Sequence, residues 1–248
     1  MGIASSHHTI QPINELPPPT YSIAPEFMNK QTIKKYRPNH KPNTSLLLGE
    51  LRLQLIPTDH SCLFHCITYC CNNSVEFDNT TIDQQRKLIA DYVLSHRDVY
   101  TSDVLGMPTT QYCDVIQRLS CWGSAIELQI FSEIYGCEIY VVDLKLLQLY
   151  RFGIDKSYRK RIFLLYTGNH YDVITFKTKY KYNNHNIIRY FSTMDYGILL
   201  HIKYVIERLS TYYAQQLQYI QTDRSRYELS VMCHKISVQH KSVSHILD

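Results

Sequence analysis

Three residues of this chain have types and spacing that could do nucleophilic chemistry: Cys62, His170 and Asp172. Asp59-His60-Ser61 precede a Leu/Phe/Cys-rich run that ends at Cys71. An Asp or Ser before an apolar run signals a helix start, which places Cys62 in the first turn. Unpaired backbone N–H groups and the helix dipole put partial positive charge there. That setting is expected to favour thiolate over thiol and to receive a developing oxyanion. His170 follows Gly168-Asn169, a pair suited to a tight hairpin turn, and opens a predicted strand. Asp172, two residues on, projects to the same side and can fix the imidazole's tautomer. Nucleophile, base and orienter are then all present. Spacing alone leaves two plainer alternatives open, a core cysteine and a solvated hairpin end.

The elements that must position these residues can be read from periodicity. Leu51, Leu53 and Leu55 alternate with Arg52 and Gln54, as in a half-buried strand. Thr81 to Ser95 and Ser124 to Tyr135 carry apolar residues at helical spacing, the second closed by Gly136. Glu138 to Asp143 reads as a buried strand, Arg161 to Thr167 and Tyr171 to Phe176 as two more, and Ile198 to Ile220 as a long helix. Helices interleaved with strands predict an α/β (α+β) domain with a small sheet.

Composition bounds the function classes. The chain has 248 residues, 44% of them hydrophobic, enough for one large domain or one domain with appendages. A net charge of +4 argues against a dedicated nucleic-acid binder. No apolar run is long enough to span a bilayer, and no secretory leader is expected. The eight Cys read as free thiols in a reducing, cytoplasmic setting. Cys62, Cys66 and Cys70 lie at helical spacing, but one stripe cannot aim three thiolates at one ion, so packing is expected and no metal site.

Three motifs carry a family resemblance. Asp59-His60-Ser61-Cys62-Leu63-Phe64 resembles the nucleophile motif of the ovarian-tumour (OTU) family of deubiquitinating cysteine proteases. Trp122-Gly123-Ser124-Ala125-Ile126-Glu127-Leu128 resembles its central helix motif, and Gly168-Asn169-His170-Tyr171-Asp172 its histidine motif. The branch associated with the valosin-containing-protein segregase is the most similar, through Tyr112-Cys113-Asp114, Arg151-Phe152-Gly153 and, more weakly, residues up to Cys233. The resemblance implies an OTU-like fold, a small mixed β-sheet packed between helices. It implies cleavage of isopeptide bonds after the C-terminal glycine of ubiquitin or polyubiquitin, without a cofactor. Cys62 would be the nucleophile, His170 the base and Asp172 the orienter. Asp59 matches an acidic position beside the nucleophile that caps the helix or holds the oxyanion loop. Trp122 is expected to pack at the base of the cleft and Glu127 to be a buried anchor. The competing class is a catalytically silent ubiquitin-binding adaptor that acts through its N-terminal arm.

The expected organisation is an arm over 1–45, a protease domain over 46–180 and a helical extension over 181–248. The arm holds seven of the nine Pro and reads as disordered. It is too short for the UBX-like domain that the segregase-associated branch commonly carries. Met1-Gly2-Ile3-Ala4-Ser5-Ser6 fits N-myristoylation of Gly2, which predicts membrane contact once Gly2 is acylated. Pro18-Pro19-Thr20-Tyr21 is a Pro-Pro-x-Tyr motif, the type that WW domains of ubiquitin ligases accept. Together the two signals resemble viral budding proteins. At the other end, Cys233, His240 and His245 resemble a degenerate zinc finger with too few ligands for a structural site.

Overall fold

A computed structural model describes residues 49–72, 77–146, 148–182, 185–213 and 223–244. The arm, with Gly2, Pro18, Pro19 and Tyr21, lies outside the described residues, as does His245. In chain order the elements are β1 (Gly49–Gln54), α1 (Cys62–Cys71), α2 (Asn79–Ser95), α3 (Ser102–Leu105), α4 (Thr109–Ile116) and α5 (Ala125–Tyr135). They continue with β2 (Cys137–Asp143), β3 (Gln148–Phe152), β4 (Lys160–Tyr166), β5 (Tyr171–Tyr182), β6 (His185–Ile188), β7 (Phe191–Ser192), α6 (Tyr196–Tyr213) and α7 (Asp223–Ser244).

The sheet runs β1-β5-β4-β2-β3, with β6 on β5 and β7 on β4. Only β2 and β4 pair in parallel; the other described pairs are antiparallel. Strand alternation sorts the side chains into two cores. Ile139, Val141, Ile162, Leu164 and Val173 face one way, against Phe64, Ile67, Ile89 and Phe131 of α1, α2 and α5. Tyr140, Val142, Phe163, Leu165 and Ile174 face the other, against Ile198, Ile202 and Val205 of α6 and Leu229 and Ile236 of α7. A strand covered on both faces must be apolar throughout, which is why Ile139-Tyr140-Val141-Val142 is an unbroken run. The expected mixed sheet between helices is present.

Helix ends follow local chemistry. Ser124 and Glu127 form a reciprocal capping box at the start of α5, and Gly136 closes it with φ 56°. Asp78 accepts from the Thr81 N–H at 2.8 Å, so α2 starts two residues earlier than the apolar periodicity predicts.

The expected boundary at 180/181 is not a physical one. β5 runs through it to Tyr182, β7 pairs with β4, and α6 and α7 build the second core. The Leu51 N–H donates to Ser237 Oγ of α7 at 2.8 Å. Within the tail, residues 223–244 are one helix, and Cys233 is buried in the second core. Burial pushes its thiol up to about 12.

Candidate active site

α1 begins at Cys62, as the residue pattern predicts, with Ser61 at the cap position. The cap works differently from the usual Ser, because its side chain makes no bond to the helix backbone. Ser61 Oγ accepts instead from Arg86 Nη2 at 2.9 Å. Asp59 holds the loop from the outside: Oδ1 accepts from the Ser61 N–H at 2.7 Å, and Oδ2 lies 2.9 Å from His65 Nε2. His65 is one turn beyond Cys62 and buried, whereas the Asp59 side chain is 44% exposed. Of the two roles open to Asp59, the geometry has it holding the loop.

Arg86 of α2 is the largest wholly buried side chain among the described residues, and the sequence gives no sign of its role. Its guanidinium donates to the carbonyls of Ile116 at 2.9 Å, Cys121 at 2.8 Å and His60 at 3.3 Å. It also lies 4.0 Å over the Phe64 ring. One side chain thus ties the loop before Cys62 to the turn that leads into Trp122. Trp122 is half-buried and packs edge-on to His60, with ring centroids 5.5 Å apart, as its packing role requires. Glu127 is the buried anchor expected, accepting from the Tyr112 hydroxyl and from Ser124 Oγ. Arg86→Met should cost about 3–5 kcal/mol, since several buried carbonyls lose their donor at once. Denaturant unfolding measures it, and a loss under about 1 kcal/mol would refute this account.

His170 lies at the next strand pair. The β4–β5 turn passes through Gly168 at φ 106°, a conformation that glycine adopts without a steric cost. The Thr167 N–H donates to the His170 carbonyl at 3.1 Å, which places His170 just ahead of β5 rather than within it. Asp172 still reaches the imidazole, with Oδ1 3.3 Å from Nε2. That contact turns Nδ1 away from the carboxylate. Asp172 is fully buried and accepts from the Ile56 N–H at 2.8 Å. Burial alone would raise its carboxyl, but the bonds from His170 and from Arg226 hold it below the ordinary range.

The thiol does not behave as the helix-dipole reading expects. Cys62 is 2% exposed, and burial pushes it up to about 11, against the pull of the Tyr171 and Leu63 backbone. The Asp59 and Asp172 charges raise it further. Desolvation outweighs the helix terminus, so the resting sulfur carries its proton. Among the described residues no hydrogen bond joins it to the imidazole. Cys66 and Cys70 are core residues with raised thiols, as expected of packing.

Residues 57–175 match the model of the OTU-like cysteine protease family. The chain is 43% identical over 117 residues to ubiquitin thioesterase OTU1 of Rattus norvegicus, covering 47% of this chain and 34% of the relative. It is 42% identical over 125 residues to the Homo sapiens protein of that name, covering 50% and 36%. The chain thus matches little more than a third of these relatives' length. A solved structure of an OTU domain in complex with ubiquitin is 19% identical, with a TM-score of 0.49, covering 79% of this chain and 95% of that one.

Proposed function

We propose, from the premise that residues 57–175 belong to the OTU-like cysteine protease family, that this chain is a cysteine deubiquitinase. The observation that carries the reading is the convergence of two sequence-distant parts. The backbone of Tyr171, next to His170, acts on the Cys62 sulfur at the start of α1, and Asp172 holds the imidazole from behind. Ubiquitin as substrate rests on the names of the relatives, which are ubiquitin thioesterases.

The chemistry follows from the resting state. Cys62 is a protonated thiol, so His170 must take its proton as the sulfur attacks the carbonyl of ubiquitin's C-terminal glycine. The negative oxygen that forms is received by backbone N–H groups of the Asp59–Cys62 loop and the first turn of α1. The imidazolium, stabilised by Asp172, gives the proton to the leaving lysine amine. Water, deprotonated by His170, then hydrolyses the thioester and restores the thiol. No hydrogen bond joins sulfur and imidazole among the described residues, so substrate docking is expected to bring the two into bonding geometry.

A ubiquitin derivative with an electrophilic C-terminus tests the reading. An adduct on Cys62 and cleavage of diubiquitin are expected; neither product, or an adduct on Cys66, would overturn it. Without ubiquitin, alkylation of Cys62 should keep rising with pH up to about 11 rather than level off near the ordinary thiol value. The burial of the resting sulfur is the one observation on the side of a silent ubiquitin-binding adaptor, and the same probe separates the two readings.

The arm adds recruitment to this reading. Pro18, Pro19 and Tyr21 supply a ligand for a WW-domain ubiquitin ligase, and acylated Gly2 supplies weak membrane contact to an otherwise cytoplasmic protein.

A further inference from the structure

The mechanism above gives no task to a buried cation that lies against Asp172. Arg226 sits in the first turns of α7, 54 residues beyond Asp172, and its side chain is 3% exposed. Nη2 donates to Asp172 Oδ1 at 2.5 Å and Nε donates to Asp172 Oδ2 at 3.1 Å, so both carboxylate oxygens are engaged by one fork. Nη2 also donates to the Ile56 carbonyl at 2.6 Å, while the Ile56 N–H donates to the same carboxylate at 2.8 Å. Arginine, carboxylate and the Ile56 peptide close a ring of bonds around the group that faces His170.

We propose that Arg226 is a positioning residue for catalysis: it fixes the Asp172 carboxylate in the plane and charge state that orient the His170 imidazole. The inference rests on the deubiquitinase reading and deepens it, because it makes α7 part of the catalytic apparatus. A carboxylate held only by an imidazole 3.3 Å away could rotate about its side-chain bonds. One gripped at both oxygens by a planar fork cannot, and a lysine at 226 would hold it at a single point. The charge matters as well as the geometry. A fully buried carboxyl otherwise takes up a proton, and a protonated Asp172 would no longer stabilise the imidazolium. The titratable and charged groups around Asp172 are His170 ahead of β5, Cys62 and Cys66 of α1, and Arg226 and Cys233 of α7. Arg226 supplies the permanent positive charge among them.

Arg226→Gln, Arg226→Lys and Asp172→Asn in the full chain test this, with hydrolysis of a ubiquitin C-terminal fluorogenic amide as readout. Arg226→Gln is expected to lower kcat by about 10–100-fold with KM little changed, the size found when a partner that orients a functional imidazole is removed. The acid limb of its rate profile should move to higher pH, because an Asp172 without its cation is protonated more readily. Arg226→Lys keeps the charge and should fold even where Arg226→Gln does not. It should show a reduced kcat with the acid limb near that of the wild type. In an Asp172→Asn background, Arg226→Gln should cause no further loss. A folded Arg226→Gln with wild-type kcat and acid limb overturns the inference, and so does wild-type kcat in Arg226→Lys or an undiminished loss in the Asp172→Asn background. If the wild type itself gives no adduct with the electrophilic ubiquitin, the underlying reading fails too. If the adduct forms and the Arg226 variants are unaffected, only this inference fails.

Discussion

Cys62→Ala is expected to abolish hydrolysis of ubiquitin conjugates while leaving their binding intact. The substitution removes one sulfur from the first turn of α1 and alters almost none of the exposed surface, since the residue is buried. In an enzyme whose nucleophile and base act as a unit, loss of the nucleophile costs on the order of 10⁶-fold in kcat, below what most assays detect. Stability should change little, because the deleted group is small. Hydrolysis and affinity for ubiquitin, measured on the same preparation, decide the matter. Turnover within about 100-fold of the wild type would remove Cys62 from the reaction, whatever its neighbourhood suggests.

The second large effect separates the two acids. Asp172→Ala should lower kcat by up to about 10⁴-fold, the loss seen when a triad orienter is removed. It also takes from buried Arg226 the carboxylate that its fork grips, which should cost about 3–5 kcal/mol. Asp59→Ala is expected to be far milder, because a half-exposed carboxylate that braces a loop is partly replaced by water. The two variants also differ in the reactivity of the thiol. The Asp59 charge raises Cys62 more than the Asp172 charge does. Removing it should therefore move Cys62 alkylation to lower pH, while turnover falls only modestly. If instead Asp59→Ala is the dead variant and Asp172→Ala turns over normally, the assignment of the two acids is reversed.

The positions of Cys62 and His170 were legible in the sequence because both depend on local signals. A polar residue before an apolar run starts a helix, and a Gly-Asn turn followed by a strand projects residues 170 and 172 together. The central strands were legible for a similar reason, since burial on two faces leaves an unbroken apolar run such as Ile139 to Val142. The thiol's protonation was not legible. It is decided by how deeply the helix start is covered, and coverage comes from elements far along the chain. Arg86 and Arg226 were invisible for the same reason: an arginine inside a helix reads as a solvated residue until its partners, 25 to 170 positions away, are known. A helical extension over 181–248 was expected, but the bounds of α7 were not legible, because the periodicity over 223–244 is weak.

The stitching of α7 to β1 and β5 has a kinetic consequence. Ile56 waits for Arg226 across 170 positions, and Leu51 waits for Ser237 across 186. Loop closures of that length are slow, and folding rates fall as contacts become more distant in sequence. On the ribosome the first strand emerges long before its partners, at about 5–20 residues per second. The second core cannot form until α7 has left the exit tunnel. Until then the sheet exposes an apolar face that chaperones must cover, and the Asp172 carboxylate has no cation beside it. By the inference drawn above, a nascent chain that already carries Cys62, His170 and Asp172 lacks its positioning cation, and full hydrolytic competence is expected only once α7 is in place.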